Sequence, residues 1–109
     1  MQITLYSYCG YLGREYITAF SPYQNKDSEH FDGTYIVDFP DDAGLSFSRN
    51  DAGEFLVELD RLGVYLLTDV LRSVDDEPAI LIPSPVGRPR HIKPVKVQRM
   101  QNYEQATVI

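Results

Sequence analysis

The stretch that decides the predicted fold runs from residue 50 to residue 73, "NDAGEFLVELDRLGVYLLTDVLRS". Its apolar residues recur at helical spacing and fall within about 80° of one another on a helical wheel: Phe55, Leu59, Leu62, Leu66 and Val70. Asn50 is a good helix N-cap, and Asp51 and Glu54 would lie in the first turn, where a helix dipole favours acidic side chains. The pattern predicts one long amphipathic helix over residues 50–73, with Gly63 as a bend or as a boundary between two helices.

The segments around this helix alternate with period two and are rich in aromatic and β-branched residues, which is typical of strands. The strands are predicted at residues 2–9, 15–23, 34–39, 45–49 and 79–83. The first two should form an antiparallel hairpin around a glycine-containing linker. Both faces of that hairpin carry large side chains, so each is expected to be covered by the helix, by the tail or by a partner. The last strand is apolar on both faces and should be central in its sheet.

Together these elements predict a single α+β domain over residues 1–109. Its architecture would be a small antiparallel or mixed β-sheet packed against the one long helix. A chain of this length can bury enough surface to fold without a disulfide or a metal. Cys9 is the only cysteine, so no intramolecular disulfide is possible.

A basic, proline-containing segment follows the last of these strands: residues 84–99, "SPVGRPRHIKPVKVQR". It contains five of the ten basic residues of the chain, namely Arg88, Arg90, Lys93, Lys96 and Arg99. The prolines predict an extended conformation over residues 83–94, and the alternation after Pro94 predicts an edge strand at 95–100. The segment is interpreted as a strap whose arginines lie over the acidic body, as a docking segment, or as a nucleic-acid-binding arm.

The last interpretation rests on "GRPR" at residues 87–90, which resembles the core of an AT-hook. That element lies extended in the minor groove of A·T-rich DNA, where narrow grooves attract arginine side chains. The resemblance implies a DNA-contacting role for Arg88 and Arg90. Nucleic-acid binding through residues 88–99 is therefore kept as the alternative function.

The charge of the chain is strongly asymmetric. Residues 1–77 carry fifteen acidic and five basic residues, a net charge of −10, whereas residues 78–109 carry one acidic and five basic residues, a net charge of +4. The sum is −6, so most of the surface should repel phosphate backbones, and a protein with a basic surface is the expected partner. The predicted partner-binding residues are the acidic face of the helix and two tyrosines of the first strand: Asp51, Glu54, Glu58, Tyr65, Asp69, Tyr6 and Tyr8.

No catalytic, nucleotide-binding or metal-binding motif is present in the sequence. Glu29, His30 and Asp32 lie close together, but their spacing matches no metal site, and Cys9 falls in a strand pattern that indicates a buried thiol. We therefore expect no cofactor, no metal and no enzymatic activity. The sequence has neither a secretory signal pattern nor a run of about 20 apolar residues that could span a membrane, so a cytoplasmic protein is expected.

These observations favour a small acidic, non-catalytic protein-binding module. By size and charge the chain resembles the small acidic inhibitors of phages and mobile elements, such as anti-CRISPR and other anti-defence proteins. Such a protein would act by occlusion, covering a basic nucleic-acid-binding surface of a host complex. Charge complementarity of this kind accelerates association and selects partners, and it requires no catalytic geometry.

Overall fold

The computed structural model describes residues 1–83, 87 and 90–100, and this part of the chain forms three antiparallel sheets. Sheet A has the strand order β10-β3-β1-β2 and comprises β1 (Gln2–Leu12), β2 (Glu15–Ser21), β3 (Phe31–Asp38) and β10 (Lys96–Met100). Sheet B has the order β4-β5-β6 and comprises β4 (Leu45–Arg49), β5 (Phe55–Leu59) and β6 (Gly63–Leu66). Sheet C has the order β7-β8-β9 and comprises β7 (Leu71–Val74), β8 (Glu77–Ile82) and β9 (Arg90–Ile92).

Helical structure in the described residues is limited to a 3₁₀ turn at Asp41–Ala43 and the single helical turn α1 at Leu67–Val70. Neither element is of a length or apolarity that would let it cross a membrane. The sheets therefore provide nearly all the regular structure that is described.

Several predicted strands are confirmed. The amino-terminal hairpin exists as β1 and β2, which pair antiparallel with Leu12 opposite Glu15 at the turn. The strands predicted at 34–39, 45–49 and 79–83 are found as β3, β4 and β8, and β8 is central in its sheet as predicted. The predicted edge strand at 95–100 is β10, at one edge of sheet A. Of the predicted extended segment 83–94, residues 90–92 form β9, whereas residues 84–86 and 88–89 lie outside the described part of the chain.

The long helix predicted over residues 50–73 is wrong, and the α+β fold class is wrong with it. In this stretch the chain forms a turn, β5, a second turn, β6, α1 and β7. The apolar spacing misleads because a separation of four residues fits both periods: Phe55 and Leu59 share one face of a helix and also one face of a strand. Val57 distinguishes the two structures. In a helix it would lie on the polar side, but on β5 it lies between Phe55 and Leu59 and is completely buried.

The turn residues mislead in a similar way. Asn50 does not cap a helix but begins the β4–β5 turn, where its carbonyl accepts the N–H of Gly53 at 3.0 Å. Its side-chain Oδ1 accepts the N–H of Glu54 at 2.9 Å. Short polar side chains that hydrogen-bond to nearby backbone N–H groups serve helix N-caps and turns equally well, so the sequence signal is shared.

One hydrophobic cluster connects the three sheets. Its buried members are Leu5, Val37, Phe39, Leu45, Val57, Leu59, Leu67, Val70, Leu71 and Ile80. Phe39 follows β3 directly, and its ring centroid lies 6.0 Å from that of Phe47 on β4, so it links sheet A to sheet B. Among the residues that the structure describes, Ser7 is the one buried polar residue, and its hydroxyl donates to the carbonyl of Gly33 at 3.2 Å.

The β7–β8 turn offers a stability prediction. Asp75 and Asp76 both have positive φ, 53° and 63°, which is the pattern of a type I′ turn and which favours glycine at the second position. We expect Asp76→Gly to raise the free energy of unfolding by about 0.5–1 kcal/mol, because it relieves left-handed strain in a non-glycine residue. Asp42→Gly in the 3₁₀ turn is the matched control, since φ is not positive there and glycine should destabilise it. Urea unfolding measures the free energy of unfolding of both variants. If Asp76→Gly is no more stable than the original chain, the strain argument is wrong.

Candidate protein-binding site

The β1–β2 hairpin extends past the sheet that supports its base. β1 pairs with β3 from Gln2 to Tyr8, and the N–H of Cys9 still donates to the carbonyl of His30 at 2.8 Å. Within the described residues, the part of β1 from Gly10 to Leu12 pairs with β2 alone. We call residues 10–17 the hairpin tip; it is a two-stranded ribbon that can be reached from both faces.

Large apolar side chains are concentrated on the hairpin tip. Tyr11, Leu12, Tyr16 and Ile17 are 67%, 70%, 64% and 41% exposed. The tip has charged side chains only at Arg14 and Glu15, at and beside its turn. Single exposed apolar residues are common on proteins, but contiguous apolar patches mark interaction sites.

The two faces of the tip differ in shape. On one face an open groove of about 320 Å³ runs along the hairpin, and the lining residues that belong to this face are Tyr8, Gly10, Leu12, Ile17, Ala19 and His30. Gly10 permits the histidine to lie against the strand, because a Cβ at this position would be 3.2 Å from Nδ1 of His30. The groove is therefore mostly apolar, with an imidazole at one side.

The other face carries a pair of tyrosines. Tyr11 and Tyr16 lie opposite each other on the two strands, and their ring centroids are 3.8 Å apart. The neighbouring hydroxyl of Tyr11 raises the pKa of Tyr16 above its ordinary value of 10, so Tyr16 is neutral at physiological pH. Aromatic side chains of this kind provide a large contact area at low entropic cost, which makes them frequent hot spots in interfaces.

Tyr6 and Tyr8, the tyrosines that the sequence analysis selected, lie at the base of the hairpin on the groove face. Their rings are 6.4 and 5.6 Å from that of Phe31, and both side chains are partly buried. The hydroxyl of Tyr8 donates to the carbonyl of Tyr23 at 2.9 Å and accepts the N–H of Asn25 at 2.6 Å. Tyr8 thus both lines the groove and holds the loop that follows β2.

The structure does not place the other predicted partner-binding residues on one face, because the helix that would have aligned them is absent. Asp51 and Glu54 lie in and beside the β4–β5 turn, and Asp69 lies in α1. Glu58 is exposed on β5, whereas Tyr65 on β6 is paired with the buried Val57 and so lies on the opposite face of sheet B. These residues therefore do not form the single acidic face that the predicted helix would have given them.

The basic residues proposed for nucleic-acid binding are partly engaged by the acidic body. Arg99 donates to the carbonyl of Asp32 at 2.9 Å, approaches its carboxylate at 3.2 Å and lies over the ring of Tyr35. Lys93 lies 3.7 Å from the carboxylate of Asp75. Exposed ion pairs of this kind contribute little stability, but they do compete with phosphate for the cations.

Of the remaining three basic residues, the two that the structure describes lie in different sheets. Lys96 begins β10 opposite Asp38. Arg90 begins β9 and lines a cavity of about 170 Å³ together with Asp60 and Leu62. Arg88 and Pro89, two of the four residues that resemble an AT-hook, lie outside the described residues.

The sequence does not predict the hairpin tip, although it contains a signal for it. The glycines of residues 10–14 predict a linker, whereas β1 continues through Leu12 and the turn needs only Gly13 and Arg14. The signal was the presence of large side chains on both faces of a hairpin almost free of charge.

Comparisons with protein families, with curated proteins and with solved structures found no significant match for this chain.

Proposed function

We propose that this chain is a small, non-catalytic protein-binding module that docks on its partner through the hairpin tip. The observation that carries the proposal is the exposure of four large apolar side chains on one projecting ribbon: Tyr11, Leu12, Tyr16 and Ile17. Covering them would remove apolar surface from water at the centre of an interface, where hot spots are usually found. The groove beside Tyr8 and His30 would receive a side chain of the partner.

The expected partner has a basic surface, because the chain has a net charge of −6. The negative field would steer such a partner toward the chain, and the apolar tip would supply the contact that holds it. We further propose the role of a phage or mobile-element inhibitor of the anti-CRISPR or anti-defence type, acting in the cytoplasm by covering a nucleic-acid-binding surface. This role is supported by size and charge.

Nucleic-acid binding through residues 88–99 receives less support. Lys93 and Arg99 already lie beside Asp75 and Asp32, and the body around them is acidic. A phosphate backbone would have to displace these carboxylates while being repelled by the rest of the surface.

We expect that one charged substitution at the tip strongly weakens binding of the partner. The chain is immobilised and incubated with a lysate of its source organism, and bound proteins are identified by mass spectrometry. Leu12→Asp and Ile17→Asp are each expected to weaken binding of the specific partner by at least about 30-fold, the factor that corresponds to about 2 kcal/mol at an interface hot spot. The affinity of the purified partner should also fall as salt is added.

Val64→Asp is the matched control, because Val64 is an exposed apolar residue on β6, in another sheet. It should leave binding unchanged. A partner retained equally by all three variants would refute docking through the tip. An affinity that does not depend on salt would refute the basic partner while leaving the apolar contact in place.

A further inference from the structure

The outer edge of β2 is also an edge of sheet A. The β1–β2 hairpin closes on a two-residue turn with Leu12 opposite Glu15, and in such hairpins the pair that flanks the turn is hydrogen-bonded. Alternate residues of β2, starting with Tyr16 and Thr18, therefore direct their backbone N–H and C=O groups away from β1. The contacts of Cys9 agree with this phase, because Cys9 lies opposite Thr18 and its N–H donates to the carbonyl of His30, the residue before β3 on the other side of β1.

This edge is accessible along half of the strand. β7 approaches β2 without joining its sheet. Residues 15–19 nevertheless stay exposed apart from the half-buried Thr18, whereas Phe20 and Ser21 are both half-buried. Among the hydrogen bonds found outside the sheets of the described chain, none involves the backbone of Tyr16 or Thr18. An additional strand would find its hydrogen-bonding partners on this stretch.

The two edges of sheet A are built differently. β10 follows Pro94 and carries Lys96 and Arg99, which are the usual means of preventing a strand edge from pairing with another chain. β2, "EYITAFS", has no lysine, arginine or proline, its register with β1 contains no bulge, and four of its seven residues, Tyr16, Ile17, Thr18 and Phe20, have high β-propensity. The sheet is thus protected at one edge and left open at the other.

We infer that the open edge of β2 pairs with the same edge of a second copy of this chain, antiparallel and symmetric about Ile17. The exposed stretch of residues 15–19 is centred on that residue. In this register Tyr16 of one copy and Thr18 of the second copy exchange both of their backbone hydrogen bonds, and the symmetry repeats the pair. The two Ile17 side chains meet on the groove face, and sheet A continues across the dimer.

The small exposed area predicts a dimer of low affinity. Tyr16 and Ile17, the exposed tip residues on β2, are 64% and 41% exposed, which at about 200 Å² for each large side chain is on the order of 200 Å² per copy. Two copies would bury roughly 400 Å² of these side chains, less than a specific interface usually buries, so the backbone hydrogen bonds must supply most of the attraction. Because each copy has a net charge of −6, the copies repel one another, so added salt should strengthen the pairing.

The experiment is sedimentation equilibrium of the full chain over about three decades of concentration. The mass is expected to rise from the 12.5 kDa of the monomer toward twice that value, and to do so at lower concentration when salt is added. Hydrogen exchange measured in parallel should show the amides of Tyr16 and Thr18 becoming protected as the dimer forms. A constant monomer mass would overturn the inference, and so would association that leaves these two amides unprotected.

Two variants make the test specific to the strand edge. Thr18→Pro removes an outward-facing N–H and should abolish association, whereas Thr18→Val keeps that N–H and should associate like the original chain. Tyr16→Lys changes an exposed side chain and gives β2 the protection that Lys96 gives β10, so it should abolish association even if the proline variant does not fold. Equal association of all three variants would refute pairing at this edge.

The dimer and the proposed partner would use the same hairpin tip and would exclude one another. The two proposals nevertheless fail separately, because salt should strengthen the dimer and weaken the partner complex. A chain that remains monomeric and still binds its partner would refute only the dimer. A dimer that forms in the absence of any partner would leave the binding proposal to its own test.

Discussion

Replacing Phe39 with alanine is expected to lower the free energy of unfolding by about 3–5 kcal/mol, the cost of removing a fully buried phenylalanine. Phe39 is 1% exposed and belongs to the hydrophobic cluster that connects the three sheets. Its N–H also donates to the carbonyl of Met1 at 2.7 Å, which fixes the backbone at this junction. Because a domain of this size has a total stability of about 5–15 kcal/mol, the variant should be close to unfolding at room temperature.

Urea unfolding followed by circular dichroism measures this loss. Leu12→Ala is the control, since Leu12 is mostly exposed and its truncation should change stability by no more than about 0.5 kcal/mol. If Phe39→Ala does not fold, Phe39→Leu should still unfold at a lower urea concentration than the original chain, with a loss of about 1 kcal/mol. If Phe39→Ala lowers the free energy of unfolding by less than Phe39→Leu does, Phe39 does not link the sheets.

The second large effect is expected at Gly44, which precedes β4. Gly44 has a φ of 74°, and a Cβ there would lie 2.7 Å from the Cβ of Asp60. The N–H of Asp60 donates to the carbonyl of Gly44 at 3.0 Å, so the two residues cannot separate without losing that bond. Gly44→Ala is expected to cost about 3 kcal/mol, from left-handed strain together with the clash.

Gly53→Ala provides the comparison that separates strain from clash. Gly53 has a φ of 81°, but nothing lies within 4 Å of its would-be Cβ. Alanine there should cost only about 1 kcal/mol, the strain alone. Both values come from chemical denaturation, and equal costs at the two positions would mean that the chain relaxes around Asp60 and that the close approach has no energetic effect.

The strands of sheet A could be predicted from the sequence, and those of sheet B only in part. β1, β2 and β3 were recognisable because they are short runs rich in aromatic and β-branched residues and bounded by turn residues. In β5 the residues Phe55 and Leu59 fit a helix as well as a strand, and Asn50 fits a cap as well as a turn. Only the burial of Val57 decides between the structures, and burial depends on partners that are distant in sequence.

The candidate site was predictable to a similar extent. The sequence indicated a tyrosine-rich hairpin and placed Tyr8 on it, and Tyr8 does line the groove. Whether a hairpin face is covered by the chain itself depends on where the neighbouring strand ends, and β3 stops pairing near Tyr8. The acidic residues were assigned to one face by a helical period that the chain does not adopt, so no reasoning about their charge could have located them correctly.

The order of strands in sheet A has a consequence for the order of folding. Sheet B and the β1–β2 and β7–β8 pairs consist of hairpins whose ends are already close along the chain. β10, by contrast, must find β3 across the whole of residues 39–95. Because closing a long loop costs more conformational entropy than closing a short one, the local hairpins are the natural early structures. The outer edge of β3 stays uncovered until β10 pairs with it. The pairing of β10 is therefore the slow, final step of folding.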